Sequence, residues 1–138
     1  MDKAQGIDWI ARQWLGVRWQ HQGRSREFGV DCIGLCLKVF ESAGYVFEDE
    51  TDYARRSDGS RLHRVLSQKL DRVRAADAQA GDLALFNEGR GAVHVGILSR
   101  VGEELSLIHA YAGRRKVVEQ PLSTFARPAA IFRLKGTD

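Results

Sequence analysis

Three side chains in this 138-residue chain have the types and spacing that do chemistry: Cys32, His94 and His109. Asp31-Cys32-Ile33-Gly34 stands where a glycine-containing loop meets an apolar helical pattern. Asp31 suits the N-cap, which puts Cys32 at the first helical position. Unpaired backbone N–H groups and the helix dipole favour a thiolate there. A thiolate is what a nucleophilic cysteine must become. An isolated cysteine is more often buried and inert, and Cys36, one turn further along the same apolar stripe, is read that way. A disulfide between the two would have poor geometry across one helical turn.

A thiolate needs a base, and the chain offers His21, His63, His94 and His109. His94 lies in an alternating stretch, residues 92–99, with Gly96 and Leu98 on its face. His109 lies in a second one, residues 105–111, sharing a face with Leu105, Leu107 and Tyr111. A four-residue hairpin loop over 100–103 pairs Leu98 with Leu105, Gly96 with Leu107 and His94 with His109. The imidazoles then stand side by side, with Cβ atoms roughly 5 Å apart and room left by Gly96. Cys32 would attack a carbonyl carbon. His94 would take the thiol proton, forming an ion pair, and return it to the leaving amine. His109 would bond the far nitrogen of His94 and fix its tautomer. The Cys32 backbone N–H would supply one oxyanion donor. The same three side chains could instead offer zinc three ligands, but the cysteine at a helix start already has a catalytic explanation, so no metal and no cofactor are expected.

The elements that must hold these groups run helices first, then strands. Ile7, Ile10, Ala11, Trp14 and Leu15 predict a helix over 5–15 ended by Gly16. Residues 17–30 read as a loop. Cys32, Leu35, Cys36, Val39, Phe40 and Ala43 predict a second helix, closed by Gly44. Residues 45–58, with Glu48, Asp49, Glu50 and Asp52, read as a surface loop, and Leu62, Val65 and Leu66 as a short helix. Strand signals follow at 70–74, 82–86, 92–99, 105–111, 116–120 and 130–134. Helices followed by a run of strands predict an α+β domain, with N-terminal helices packed on a mostly antiparallel sheet of about five to six strands.

Composition excludes several classes. The length is that of one domain, residues 1–138. Hydrophobic residues at 43% and charged residues at 28% are ordinary for a globular chain. Two prolines and two cysteines exclude a Pro-rich tail and a disulfide framework. No apolar run is long enough to cross a bilayer and the N-terminus lacks an apolar h-region, so membrane insertion and a signal peptide are not expected. The net charge is +3, with a local +5 between Arg55 and Arg74. A solvated helix face is the plainer explanation of that strip. No aromatic residue lies among the basic ones for bases to stack on, so nucleic acid is not an expected partner.

Gly29-Val30-Asp31-Cys32-Ile33-Gly34-Leu35 resembles the G-x-D-C-S-G-L motif of the NlpC/P60 cysteine peptidases. Ala80-Gly81-Asp82-Leu83-Ala84-Leu85-Phe86 is similar to their G-D-L-x-x-F strand, His94-Val95-Gly96-Ile97 to their H-V-G-I block, and Ile108-His109-Ala110 to the block of the third residue. Four ordered blocks are specific where one alone is not. The resemblance covers roughly residues 15–134. It implies a papain-like α+β fold and a cysteine endopeptidase that hydrolyses amide bonds in peptidoglycan stem peptides, with Cys32, His94 and His109 as catalytic residues.

Trp19-Gln20-His21-Gln22-Gly23-Arg24 further resembles the branch carried by phage tails and gene transfer agents. That implies phage-like tail or baseplate proteins as partners. It also implies synthesis in the cytoplasm without a signal, followed by action from the tail on the periplasm or cell wall. The family usually has Ser where Ile33 stands, a residue that holds the substrate's free amino end in relatives. It has an upstream Tyr near the oxyanion where this chain has Trp19. Trp19, His21 and Asp31 are therefore the substrate or oxyanion candidates. The alternative expectation is a weak or inactive structural tail component on a peptidase scaffold.

Overall fold

A computed structural model describes residues 6–45, 66, 69–88 and 93–135. Asp31 is extended, and its side chain accepts the Gly34 N–H at 2.8 Å, so it caps helix α2, Cys32–Ser42. Leu35, Cys36, Val39 and Phe40 form the buried stripe of that helix, as their spacing predicts. Gly44 closes it at φ +94°. The preceding helix α1, Ile7–Arg12, is shorter than its periodicity predicts. The N–H groups of Gln13, Trp14 and Leu15 each bond the carbonyl three residues back. The last turn thus tightens before Gly16 turns the chain at φ +87°.

The loop over 17–30 contains a small antiparallel pair, β1 (Arg24–Ser25) and β2 (Gly29–Val30). Six further strands follow: β3 (Leu70–Val73), β4 (Leu83–Asn87), β5 (Val93–Val101), β6 (Glu104–Tyr111), β7 (Lys116–Pro121) and β8 (Ala130–Leu134). They form one sheet in the order β3-β8-β4-β5-β6-β7, with every pairing antiparallel. The α+β architecture and the strand count agree with the sequence. The acidic loop over 46–58, the basic strip up to 65 and most of the short helix near Leu66 lie outside the described residues, as does His63.

One expected register is corrected. β5 pairs with β6 as Ile97↔Ile108, Leu98↔Leu107 and on to Val101↔Glu104. The connection is therefore two residues, Gly102 and Glu103, and not four. Gly102 adopts φ +63°, the left-handed geometry that a tight hairpin needs and that glycine adopts without strain. The slip is two residues, an even number, so every side chain keeps its expected face.

The two faces are built differently. Val95, Ile97, Ile108, Ala110 and Val117 face α1 and α2 in the main core. Ala84, Phe86, Leu98, Leu107 and Ile131 form a second apolar layer on the opposite face, covered by Leu122 and Phe125. Polar clamps fix the frame. Arg12 grips Glu119 at 2.9 Å, and Ser99 donates to the same carboxylate at 2.6 Å, tying α1 to β5 and β7. Arg133 forks onto Asp82 at 2.8 and 2.9 Å, joining β8 to the turn before β4.

Candidate active site

Cys32 reaches its place because the loop before it is pinned. Asp31 does more than cap: its other oxygen accepts the Gln22 N–H at 2.9 Å, and Arg24 donates to Oδ1 at 3.1 Å. A Cβ on Gly34 would lie 2.2 Å from the Gly23 carbonyl oxygen. The loop and the first turn of α2 therefore touch backbone to backbone, which only glycine permits. Trp19 bridges Val30 in parallel and donates its backbone N–H to the Arg115 carbonyl at 2.9 Å. His21 stands near it, ring centroids 6.5 Å apart. Both candidates thus flank the entry to α2. Asp31 is different: its carboxylate accepts hydrogen bonds from Gln22, Arg24 and Gly34, so it organises the loop and offers an oxyanion no donor.

The ladder between β5 and β6 ends at Ile97↔Ile108, while β5 continues beside β4 as far as Val93. In the stretch beyond, the Val95 N–H faces the Cys32 sulfur, as does the Ile33 N–H. This brings the cysteine against the strand residue next to His94. Half-buried Cys32 and buried Cys36 are both free thiols. Continuing the register sets Gly96 across from His109, so the histidines are diagonal neighbours. A Cβ at Gly96 would lie 3.0 Å from the His109 Cβ and 2.7 Å from Leu107 Cδ1. That space lets the rings lean together, and His94 Nε2 meets His109 Nδ1 at 2.7 Å.

The pair is enclosed by aromatic rings. Tyr111 stacks on His109 at 5.2 Å and 16°, and Phe125 meets it edge-on at 4.7 Å. Phe125 and Phe86 also flank His94, at 5.4 and 6.1 Å. The chain continues outward from His109: its Nε2 lies 2.9 Å from Gln120 Oε1. The Gln120 amide nitrogen donates to Thr124 Oγ1 at 3.0 Å, and the Thr124 hydroxyl to the Pro121 carbonyl at 2.6 Å. Phe125 and Gln120 lie in no motif, and Phe86, the aromatic of the G-D-L-x-x-F strand, is not among the expected site residues. Strand alternation alone puts Gln120 on the face of His109, since it opposes Leu107 in the ladder.

Burial decides the protonation states. It pushes the Cys32 thiol up to about 12, helped by the Asp31 carboxylate and opposed by the Val95 and Ile33 N–H groups. It pushes His94 down to about 3, with His109 adding to the fall. Burial lowers His109 as well, against the hydrogen bond to Gln120. The resting pair is a neutral thiol and a neutral imidazole. This corrects the expected thiolate: the Ile33 N–H at the helix start and the Val95 N–H on β5 do not offset desolvation plus an adjacent carboxylate.

A cysteine at a helix start set against a histidine pair on an antiparallel sheet defines a papain-like α+β domain. The NlpC/P60 family profile matches residues 16–129, and the chain belongs to that family. The fold is shared with the NlpC/P60 domain of the peptidoglycan hydrolase SagA: TM-score 0.70, 21% identity, covering 95% of this chain and 98% of that one. An NlpC/P60 family protein from Bacillus cereus ATCC 10987 superposes with TM-score 0.71 at 26% identity, covering 95% of this chain and 40% of that one. NlpC2 from Trichomonas vaginalis gives 0.73 at 19% identity, covering 96% and 47%. The chain thus spans less than half of the last two proteins and nearly all of the SagA domain. A search of the curated proteins returned no match.

Proposed function

We propose that this domain is a cysteine endopeptidase that hydrolyses amide bonds in peptidoglycan stem peptides. The observation that carries this reading is the His94 Nε2 to His109 Nδ1 contact of 2.7 Å, with the helix-start cysteine held against the N–H of Val95, the residue after His94. Because the resting pair is neutral, the thiol proton moves to His94 as the Cys32 sulfur bonds the carbonyl carbon. The Cys32 N–H donates to the oxyanion, with the Trp19 indole or His21 as second donor. Collapse of the tetrahedral intermediate breaks the C–N bond, and His94 gives its proton to the leaving amine. Water then hydrolyses the thioester with His94 again as base. The resemblance of residues 19–24 to tail-borne relatives supports delivery by a phage-like tail, with tail or baseplate proteins as partners and the periplasm or cell wall as the place of action.

Digestion of purified peptidoglycan by the wild type, Cys32→Ala and His94→Ala tests it, with circular dichroism to check folding. Both variants lose activity and keep the fold; full digestion by folded Cys32→Ala would overturn the reading. A second reading, a structural component on a peptidase scaffold, has one observation in its favour: burial leaves Cys32 as a thiol. Peptidoglycan left intact by the wild type supports it.

A further inference from the structure

The bonds running outward from His109 have only one consistent direction. The Thr124 hydroxyl has one hydrogen, and it goes to the Pro121 carbonyl at 2.6 Å. Thr124 Oγ1 must therefore accept from the Gln120 amide nitrogen. That orients the Gln120 side chain and turns its carbonyl oxygen to His109 Nε2 at 2.9 Å. A carbonyl oxygen only accepts, so His109 carries its proton on Nε2 and leaves a lone pair on Nδ1. His94 Nε2 then has to donate across the 2.7 Å contact. The remaining nitrogen of His94, Nδ1, keeps its lone pair.

We propose that Gln120, held by Thr124, is a positioning residue that sets the tautomers of both histidines and so leaves His94 Nδ1 as the base. The inference builds on the peptidase reading for its catalytic meaning, while the tautomers themselves exist with or without activity. Reversing the Gln120 amide would put its NH2 group against His109 Nε2. His109 would then be protonated on Nδ1, and His94 Nε2 would have to accept. His94 would carry its proton on Nδ1 and could not take one from a thiol. Tautomer assignment follows from the network, and here the network ends on a backbone carbonyl that cannot turn over. The rings packed against the two histidines are those of Tyr111, Phe125 and Phe86. Among the described residues, the hydrogen bonds on their imidazole nitrogens are the His94–His109 contact and the one to Gln120.

Imidazole 15N NMR of the whole chain reads this without substrate. In the wild type both histidines should be protonated on Nε2. Gln120→Leu removes the acceptor, and Thr124→Val, at an exposed position, frees the Gln120 amide to turn over. Either should give mixed or reversed tautomers and lower kcat by about tenfold with little change in KM. Gln120→Glu keeps an acceptor toward His109, so it should retain the Nε2 tautomer and most of kcat. Its carboxylate should move the acid limb of the pH profile upward. Wild-type protonation on Nδ1 of either histidine, or unchanged tautomers in both Gln120→Leu and Thr124→Val, would overturn the proposal. A wild type with the expected tautomers and no hydrolysis would refute the peptidase reading alone.

Discussion

His94 and His109 are joined through Nε2 and Nδ1 at 2.7 Å although they are not opposite one another in the β5–β6 ladder. Ring tilt across the space beside Gly96 makes the contact, with the planes 72° apart. A diagonal pair is closer to edge-on than a direct one, and this lets one ring's N–H point at the other's lone pair. The contact leaves His94 with one nitrogen engaged and the other available for chemistry.

Gly96→Ala should damage both fold and site. The new Cβ would meet Leu107 Cδ1 at 2.7 Å and both the His109 Cβ and the Ile108 carbonyl oxygen at 3.0 Å. Overpacking of this kind costs about 1–3 kcal/mol. Thermal unfolding should shift down accordingly, and kcat should fall further than stability alone explains, because His109 is pushed from His94. A fully active, equally stable variant would contradict the tight packing described.

Acidification should destabilise the fold through the histidines. His94 is lowered to about 3 and His109 is lowered too, both by burial, while unfolded histidines titrate near 6.5. Below pH 6.5 the unfolded chain binds protons that the folded chain refuses, so stability rises with pH between about 3 and 6.5. The slope from His94 approaches ~1.4 kcal/mol per unit in that window. Urea unfolding across pH should show it, and His94→Gln should flatten it. In kcat/KM the acid limb should fall well below 6.5, since the base stays neutral down to about pH 3. Alkylation of Cys32 by iodoacetamide should rise with pH toward 12 without a plateau near neutrality.

Arg133→Met should cost more than a surface charge normally does. Its partner Asp82 has a side chain only 3% exposed and would lose a bidentate cation. Leaving a buried carboxylate unpaired costs roughly 3 kcal/mol. The Gln79 N–H still bonds Asp82, so the folded state persists and the loss is measurable by denaturant titration. A change within experimental error would contradict the clamp.

Much of this was legible because patterning and chemistry coincide. The apolar stripe from Cys32 to Phe40 and the alternation around His94 and His109 are local signals, and α2, β5 and β6 follow them. The early end of α1 was not legible, because the tight last turn depends on where Gly16 must send the chain. The two-residue turn at Gly102 is not legible from patterning, because Val101 and Glu104 extend the ladder despite their exposure. Cys32 at its helix start stays a thiol for a nonlocal reason: desolvation is set by the surrounding packing, which spacing does not report. Gln120 and Phe125 reach the histidines through the β6–β7 register and the turn after it, and no motif marks them.

The most direct test of the central claim is mass spectrometry of purified peptidoglycan after incubation with the wild type and with Cys32→Ala. New fragments cut at an amide within the stem peptide should be released by the wild type and be absent with Cys32→Ala. Identical fragments from both proteins, or none from either, would contradict it.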